Sequence, residues 1–307
     1  MGTAMLDDEK NNRENGPLTR SILSSTYINF LFGAGVNSVA LPQLYGFNKT
    51  IEQIKNCGGD CTNGLEAGID SINDPVKREA VKKAFMAEFK YFHSVVNYDS
   101  EPIHHIEKML RITYQFAKVA QNRNPGMKQI NIYTLNYDEI MEHVLSSLGY
   151  LYHQVSSSNT DRMSSLMNII GYDYITKKYV PSFMISKLHG GIDNPIIPGK
   201  FKYHDVLTAE YFEIAFNMKQ HLLRPNSILF VLGYSGGDEH INEIIRDCIN
   251  SGLTVYWYRY NDTEKLPKIF DPESIIVIDQ PDPDKKQDAT LIYYQNVKKA
   301  WEEKLDE

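Results

Sequence analysis

Short apolar runs alternate with helical segments through the last third of this chain, and few folds accommodate that order. Ser227 to Leu232 reads as a buried strand, and the helix after it carries Ile241, Ile244, Ile245 and Cys248 at i, i+3, i+4 and i+7. Leu253 to Tyr260 is the next strand, Glu264 to Phe270 a short helix, and Ser274 to Ile278 another strand. Ala289 to Leu305 is a terminal helix packing Val297, Trp301 and Leu305. Such alternation predicts an α/β fold with a doubly wound parallel sheet, because each helix carries the chain back to start the next strand in the same direction.

The upstream chain extends the pattern. Pro17 to Ser25 is a short helix or extended lead-in, and Tyr27 to Phe32 a strand that stops at Gly33-Ala34-Gly35-Val36-Asn37. Ser38 to Phe47, with Pro42 and Gly46, reads as a loop, and Lys49 to Asn56 as a short helix. Asp74-Pro75 is an N-cap followed by proline at the first helical position, after which Val81, Phe85, Phe89, Phe92 and Val96 recur at helical spacing. Ile103, Ile106, Leu110, Tyr114 and Ala117 repeat that spacing until Asn122 to Gly126 ends it. Residues 48–122 are therefore expected to form a helical insertion, a lobe able to cap a cleft. Gln129 to Leu135 is a strand, Asp138 to Leu148 a helix, Tyr150 to Gln154 a strand, Phe183 to Leu188 a strand and Thr208 to Arg224 a helix. The polar stretch from Ser156 to Val180 has no assigned element. The organisation expected is a lead-in over 1–26 and one domain over 27–307.

Composition excludes several classes. A formal charge of -7 and a pI near 5.7, with Lys and Arg scattered among acids, argue against a nucleic-acid surface. No apolar run reaches the ~18 residues of a membrane span, and Met1 to Gly16 is polar, so the cytoplasm is the expected compartment. The three cysteines, Cys57, Cys61 and Cys248, cannot supply a four-cysteine zinc site, and two of them sit in a glycine-rich turn.

In doubly wound sheets the ligand crevice lies outside the carboxyl ends of the strands. Five predicted strand ends carry glycines or small polar residues: Gly33-Ala34-Gly35, Asn136-Tyr137-Asp138, His189-Gly190, Gly233-Tyr234-Ser235 and Tyr260-Asn261. A glycine turn after a strand brings backbone N–H groups near a phosphate, though it also occurs where a chain merely turns. The dinucleotide pattern is incomplete: Ser38 stands near the place of a third glycine, and Glu52 is not at a strand end.

The spaced set Gly33-Ala34-Gly35-Val36-Asn37, Thr134-Leu135-Asn136-Tyr137-Asp138, Lys187-Leu188-His189-Gly190 and Gly233-Tyr234-Ser235 resembles the sirtuin-like superfamily over residues 27–280. The resemblance implies a Rossmann-like domain that binds NAD, with a smaller lobe beside it. Protein deacylases of that family carry a four-cysteine zinc ribbon, for which this chain lacks the cysteines. Ala40-Leu41-Pro42-Gln43-Leu44 also stands where their glycine-isoleucine-proline pattern occurs. The pattern is similar to that of bacterial sirtuin-like NAD hydrolases of antiphage defence, which use NAD as substrate and no zinc.

The resemblance implies roles residue by residue. Cleaving the nicotinamide–ribose bond develops positive charge on the ribose while neutral nicotinamide departs, so the protein mainly orients ribose and water. Asn136 would hold a ribose hydroxyl or water, and His189 would act as general base. Amides of Gly33, Ala34, Gly35 and Val36 would meet phosphate, with Asn37 beside them where relatives often have serine. Asp138 would orient the site, doubling as a helix N-cap, and Gly233, Ser235 and Asn261 would line the adenosine side. Asp238 reads as a helix cap, and Tyr256-Trp257-Tyr258 as core with one face near adenine. The same implication extends to abortive-infection defence through NAD depletion, to a homo-oligomer, and to a separate regulator such as a HerA-type ATPase or an Argonaute-like protein. Two alternatives stay open: zinc-independent deacylation or ADP-ribosyl transfer, and a non-catalytic module sensing NAD or ADP-ribose.

Overall fold

Strand β1 (Tyr27–Phe32) lies at the centre of a seven-stranded sheet in which every pairing is parallel. The computed structural model describes residues 18–37, 40–119, 125–150, 152–155, 169–173, 178–193, 195–196, 209–259, 265–279 and 288–302. On one side of β1 lie β2 (Ile130–Thr134), then β6 (Phe183–Lys187) and β3 (Tyr152–Val155). On the other side lie β7 (Ser227–Leu232), β8 (Thr254–Tyr258) and β9 (Ile276–Ile278). The chain leaves β1 toward β2 and later returns to β7 on the opposite flank, so the topological switch point falls between β1 and β7.

The central strands are mostly apolar because helices cover both faces. Ile28, Phe30 and Phe32 of β1, with Ile228, Phe230 and Leu232 of β7, face one layer, while Leu31, Leu229 and Val231 face the other. The first layer holds α1 (Arg20–Ser25), α5 (Glu101–Val119), α7 (Ile140–Ser147) and α10 (Ala289–Glu302), and a single turn, α6 (Pro125–Lys128), leads from α5 into β2. The second holds α8 (Ala209–Leu222) and α9 (Glu239–Asn250). Phe30 packs against Phe230 at 5.4 Å and edge-on to Tyr293 of α10 at 5.2 Å. Each such fully buried side chain contributes about 1.5–3 kcal/mol. Buried amides fix the register: Asn131 donates to Asn29 Oδ1 at 2.9 Å, and Asn29 donates to Ile228 O at 3.0 Å, a link across β2, β1 and β7. A one-residue slip would break it.

The helical span divides in two. Helices α2 (Asn48–Asn56), α3 (Leu65–Asp70) and α4 (Pro75–Ser94) share a separate cluster around Phe47, Ile54, Phe85 and Phe89, whereas Ile103, Met109 and Leu110 of α5 belong to the sheet's own core. Asp74 caps α4 as its sequence position suggests, accepting from Val76 N at 2.8 Å. Val96 falls beyond the end of that helix.

Two expectations are corrected, and one stretch without an assigned element gains one. The polar stretch after Ser156 contains an antiparallel pair, β4 (Ile169–Asp173) with β5 (Lys178–Pro181). No helix spans residues 265–270: Pro267 has no N–H to give to one, and the segment closes instead as a turn from Phe270 N to Pro267 O. Glu139, not Asp138, occupies the N-cap position of α7. Among the described residues no helix is long and apolar enough to cross a membrane.

Candidate functional site

The four motifs sit at the carboxyl ends of four neighbouring strands, β6, β2, β1 and β7. At the switch point the turns after β1 and β7 press backbone against backbone. Gly33 N donates to Leu232 O at 3.0 Å and Gly35 N to Gly233 O at 2.9 Å. A Cβ on Gly35 would lie 2.8 Å from Gly233 Cα, and Gly233 itself holds φ +62°. Three glycines are needed here because two chain segments occupy the space one side chain would fill. The amides of Gly33, Gly35 and Val36 are thus engaged with backbone carbonyls, and Ala34 is the exposed residue of the turn.

The β2 end closes onto this turn. Asn136 donates from Nδ2 to Gly33 O at 3.1 Å, and its backbone N–H bonds Thr134 Oγ1 at 3.0 Å. Asn37 Nδ2 donates to both carboxylate oxygens of Asp138, at 2.9 and 2.8 Å, and both side chains are buried. Asp138 Oδ1 also accepts from Ile140 N at 3.0 Å, so the carboxylate still satisfies one amide at the start of α7. Asn37 Oδ1 is buried with no hydrogen-bond partner among the described residues. Reversing that amide would set its oxygen against a carboxylate, so the contact with Asp138 fixes its orientation.

Beneath these residues lies a buried ion pair. Lys187, at the end of β6 and 1% exposed, reaches Glu142 Oε1 of α7 at 2.8 Å and donates to the main-chain carbonyl of Asp138. Burial raises the Glu142 carboxyl above its ordinary range, and the Lys187 ammonium opposes that shift. Removing either partner alone would strand the other's charge in the core.

His189 follows β6 and is buried. Its Nε2 lies 3.8 Å from Asp238 Oδ1, a residue of the loop after β7, and its ring centroid is 5.7 Å from that of His240. Asp238 takes the N-cap position of α9 without a side-chain capping bond. The β7 loop is braced from within: the Tyr234 hydroxyl donates toward Asn242 Oδ1 (2.9 Å) and Asp238 O (3.0 Å), and Asn242 Nδ2 donates to Gly236 O at 2.8 Å. On the β6 side, the Tyr137 hydroxyl donates to Ile196 O at 2.7 Å.

Of the residues singled out in the sequence, Gly33, Gly35, Asn37, Asn136, Asp138 and Gly233 come together through these bonds. Ser235 is exposed on the β7 loop, and Asn261 lies outside the described residues. Tyr256, Trp257 and Tyr258 are core residues of β8. The sequence reading left Glu142, Tyr137, Tyr234 and the pairing of Asp238 with His189 without a functional role. The two tyrosines stood inside the Asn-Tyr-Asp and Gly-Tyr-Ser motifs, which was their one visible signal. Among the described residues no group of three or more His, Cys, Asp or Glu could hold a metal ion.

No curated protein matches this sequence. Among solved structures, one described as a Sir2 homolog in complex with NAD is 11% identical over 92% of each chain, with a TM-score of 0.42. Another, from a description of the mechanism and regulation of Sir2 enzymes, is 13% identical over 92% of this chain and 97% of its own, with a TM-score of 0.45. A protein-family model described as the SIR2-like domain matches residues 130–278, which hold three of the four strand-end motifs. The chain therefore carries a SIR2-like domain match over β2 to β9, with the Gly33 turn of β1 set against it.

Proposed function

We propose that this chain is an NAD hydrolase that cleaves the nicotinamide–ribose bond to give nicotinamide and ADP-ribose. The observation that supports this best is the meeting of the four motifs at neighbouring strand ends, with Asn136 bonded to Gly33 and Asn37 to Asp138. The buried oxygen of Asn37, without a donor among the described residues, is an acceptor that an amide or hydroxyl of the dinucleotide would satisfy. Asn136 spends one amide hydrogen on Gly33 O, and its second hydrogen and its oxygen serve a ribose hydroxyl or a water. His189 is the general base, with the Asp238 carboxylate 3.8 Å from its Nε2. Asp138 is held in place by Asn37, Ile140 N and the Lys187 contact to its carbonyl. Phosphate meets the β1 turn at Ala34, beside Gly33, Gly35 and Val36, and Gly233, Ser235 and Asn261 line the adenosine side.

With three cysteines the chain lacks the ligands of a zinc-ribbon deacylase, so the hydrolase reading needs no zinc. The setting we assign is antiphage defence by NAD depletion. Unregulated NAD loss kills the host, so activity is restrained by homo-oligomer assembly or by a separate partner such as a HerA-type ATPase or an Argonaute-like protein. The test is NAD turnover across protein concentrations, with products identified by mass spectrometry. Nicotinamide and ADP-ribose are expected, and Asn136→Ala or His189→Ala should lower turnover at least about a hundredfold while the protein stays folded. Undiminished turnover by either folded variant, acetyl-ADP-ribose or modified protein as the main product, or tight binding with no cleavage would each overturn the assignment.

A further inference from the structure

The loop that carries His189 is held from outside its own strand. Tyr137, at the end of β2, packs its ring edge-on to Phe85 and Phe89 of α4, at 6.0 and 5.7 Å with interplanar angles of 87° and 89°. Ile192, three residues past His189, packs against the same cluster. The hydroxyl of Tyr137 donates to Ile196 O at 2.7 Å, and Ile196 N donates to His189 O at 2.8 Å. Ile196 is itself buried and packs against Tyr211 of α8. Two hydrogen bonds therefore connect the Asn-Tyr-Asp motif to the His189 backbone, through a side chain seated in the helical lobe. Burial raises the Tyr137 phenol well above its ordinary range, which keeps it protonated as a donor. A second tether, Lys90 Nζ to Asp193 Oδ1 at 3.1 Å, joins α4 to the same loop, but its side chains are 49% and 66% exposed. An exposed pair of that kind contributes little.

We infer that Tyr137 is a positioning residue: its hydroxyl sets the place of the His189 loop and so couples the α2–α4 lobe to the reacting histidine. Phe at this position would keep the ring against Phe85 and Phe89 and leave the buried Ile196 carbonyl without its donor. The loop would then sample other positions, while the groups that bind the substrate stay where they are.

The inference rests on the NAD-cleavage reading for its kinetic arm and on hydrogen exchange for its structural arm. In the 307-residue chain, Tyr137→Phe should speed amide exchange over residues 188–193 and at Ile196 about tenfold or more, the factor one lost buried hydrogen bond corresponds to. It should also lower kcat for NAD by about tenfold or more with KM within about twofold, the split expected when a group acts on the reaction step alone. Lys90→Ala, which cuts the exposed tether, should leave both within about twofold. Unchanged exchange in Tyr137→Phe overturns the inference, as does faster exchange with unchanged kcat, or a rise in KM alone. If the wild-type chain cleaves no NAD, the function reading fails by itself and the exchange arm alone decides the role of Tyr137.

Discussion

Single residues in this protein are set by what surrounds them more than by their type, and Tyr133 with His221 makes the case. The Tyr133 phenol, raised by burial, stays protonated and meets His221 Nδ1 at 2.7 Å. Burial chiefly, and the nearby Arg224 cation next, push the His221 imidazole down to about 4. A histidine in an unfolded chain titrates near ~6.5, so the unfolded state binds the proton first. Protonating the buried imidazole therefore costs nothing above pH 6.5, and as pH drops toward 4 the fold loses up to about 3 kcal/mol relative to the unfolded chain. His221→Gln keeps an acceptor for Tyr133 and removes the titration. Urea unfolding at pH 7 and pH 5 should show the wild type losing more stability between the two than this variant. Equal losses would mean that the imidazole is hydrated enough to take its proton in the fold.

Elements are held together by side chains that reach across them. Helix α2 has no capping side chain at its own N-cap, Phe47. Glu88, from the middle of α4, supplies the missing acceptors: its carboxylate takes Lys49 N at 3.0 Å, Thr50 N at 2.7 Å and Thr50 Oγ1 at 2.7 Å. This satisfies amides that the first turn of a helix leaves open and places negative charge at the positive end of the helix dipole. The bond is also what orients α2 on α4 and so holds the floor on which Phe47 stacks against Phe85 at 5.1 Å. Glu88→Ala should destabilise the lobe by about 1–3 kcal/mol, because buried donors lose their partner. Hydrogen exchange should report it as faster opening of α2 and α4 with β1 and β7 little changed. Uniform loss across the molecule would mean that the lobe and the sheet unfold as one unit.

At the scale of the whole molecule, the sheet closes its centre with glycine. The turns after β1 and β7 touch through Gly33, Gly35 and Gly233, and a Cβ on Gly33 would overlap the Gly233 carbonyl and approach Tyr234 Cα to 2.6 Å. Backbone cannot yield as a flexible side chain can. Gly33→Ala should therefore cost about 3 kcal/mol or more, the upper range of overpacking, and shift thermal unfolding down accordingly. Gly191, whose added Cβ would meet only Lys187 Cδ at 4.0 Å among the described residues, is the control, and Gly191→Ala should be tolerated. A stable Gly33→Ala variant would show that the two turns can separate, and with them the switch point of the sheet.

The sequence alone determined the class of fold and the edge on which a site could lie. Strands buried on both faces must be continuous apolar runs, so Tyr27–Phe32 and Ser227–Leu232 were legible to the residue, as was the cap of α4 at Asp74. The short strands β4 and β5 were not, since runs of five and four residues broken by Gly171 and ended by Pro181 leave no such pattern. The motif residues were visible because glycines and small polar groups recurred at strand ends. Their partnerships were decided by the tertiary structure alone. Asn37 meets Asp138 across a sequence separation of 101, and Tyr137 meets Ile196 across 59. Those distances collapse only when β6, β2, β1 and β7 take neighbouring places in the sheet, and strand order is a property of the packed whole, not of any local stretch.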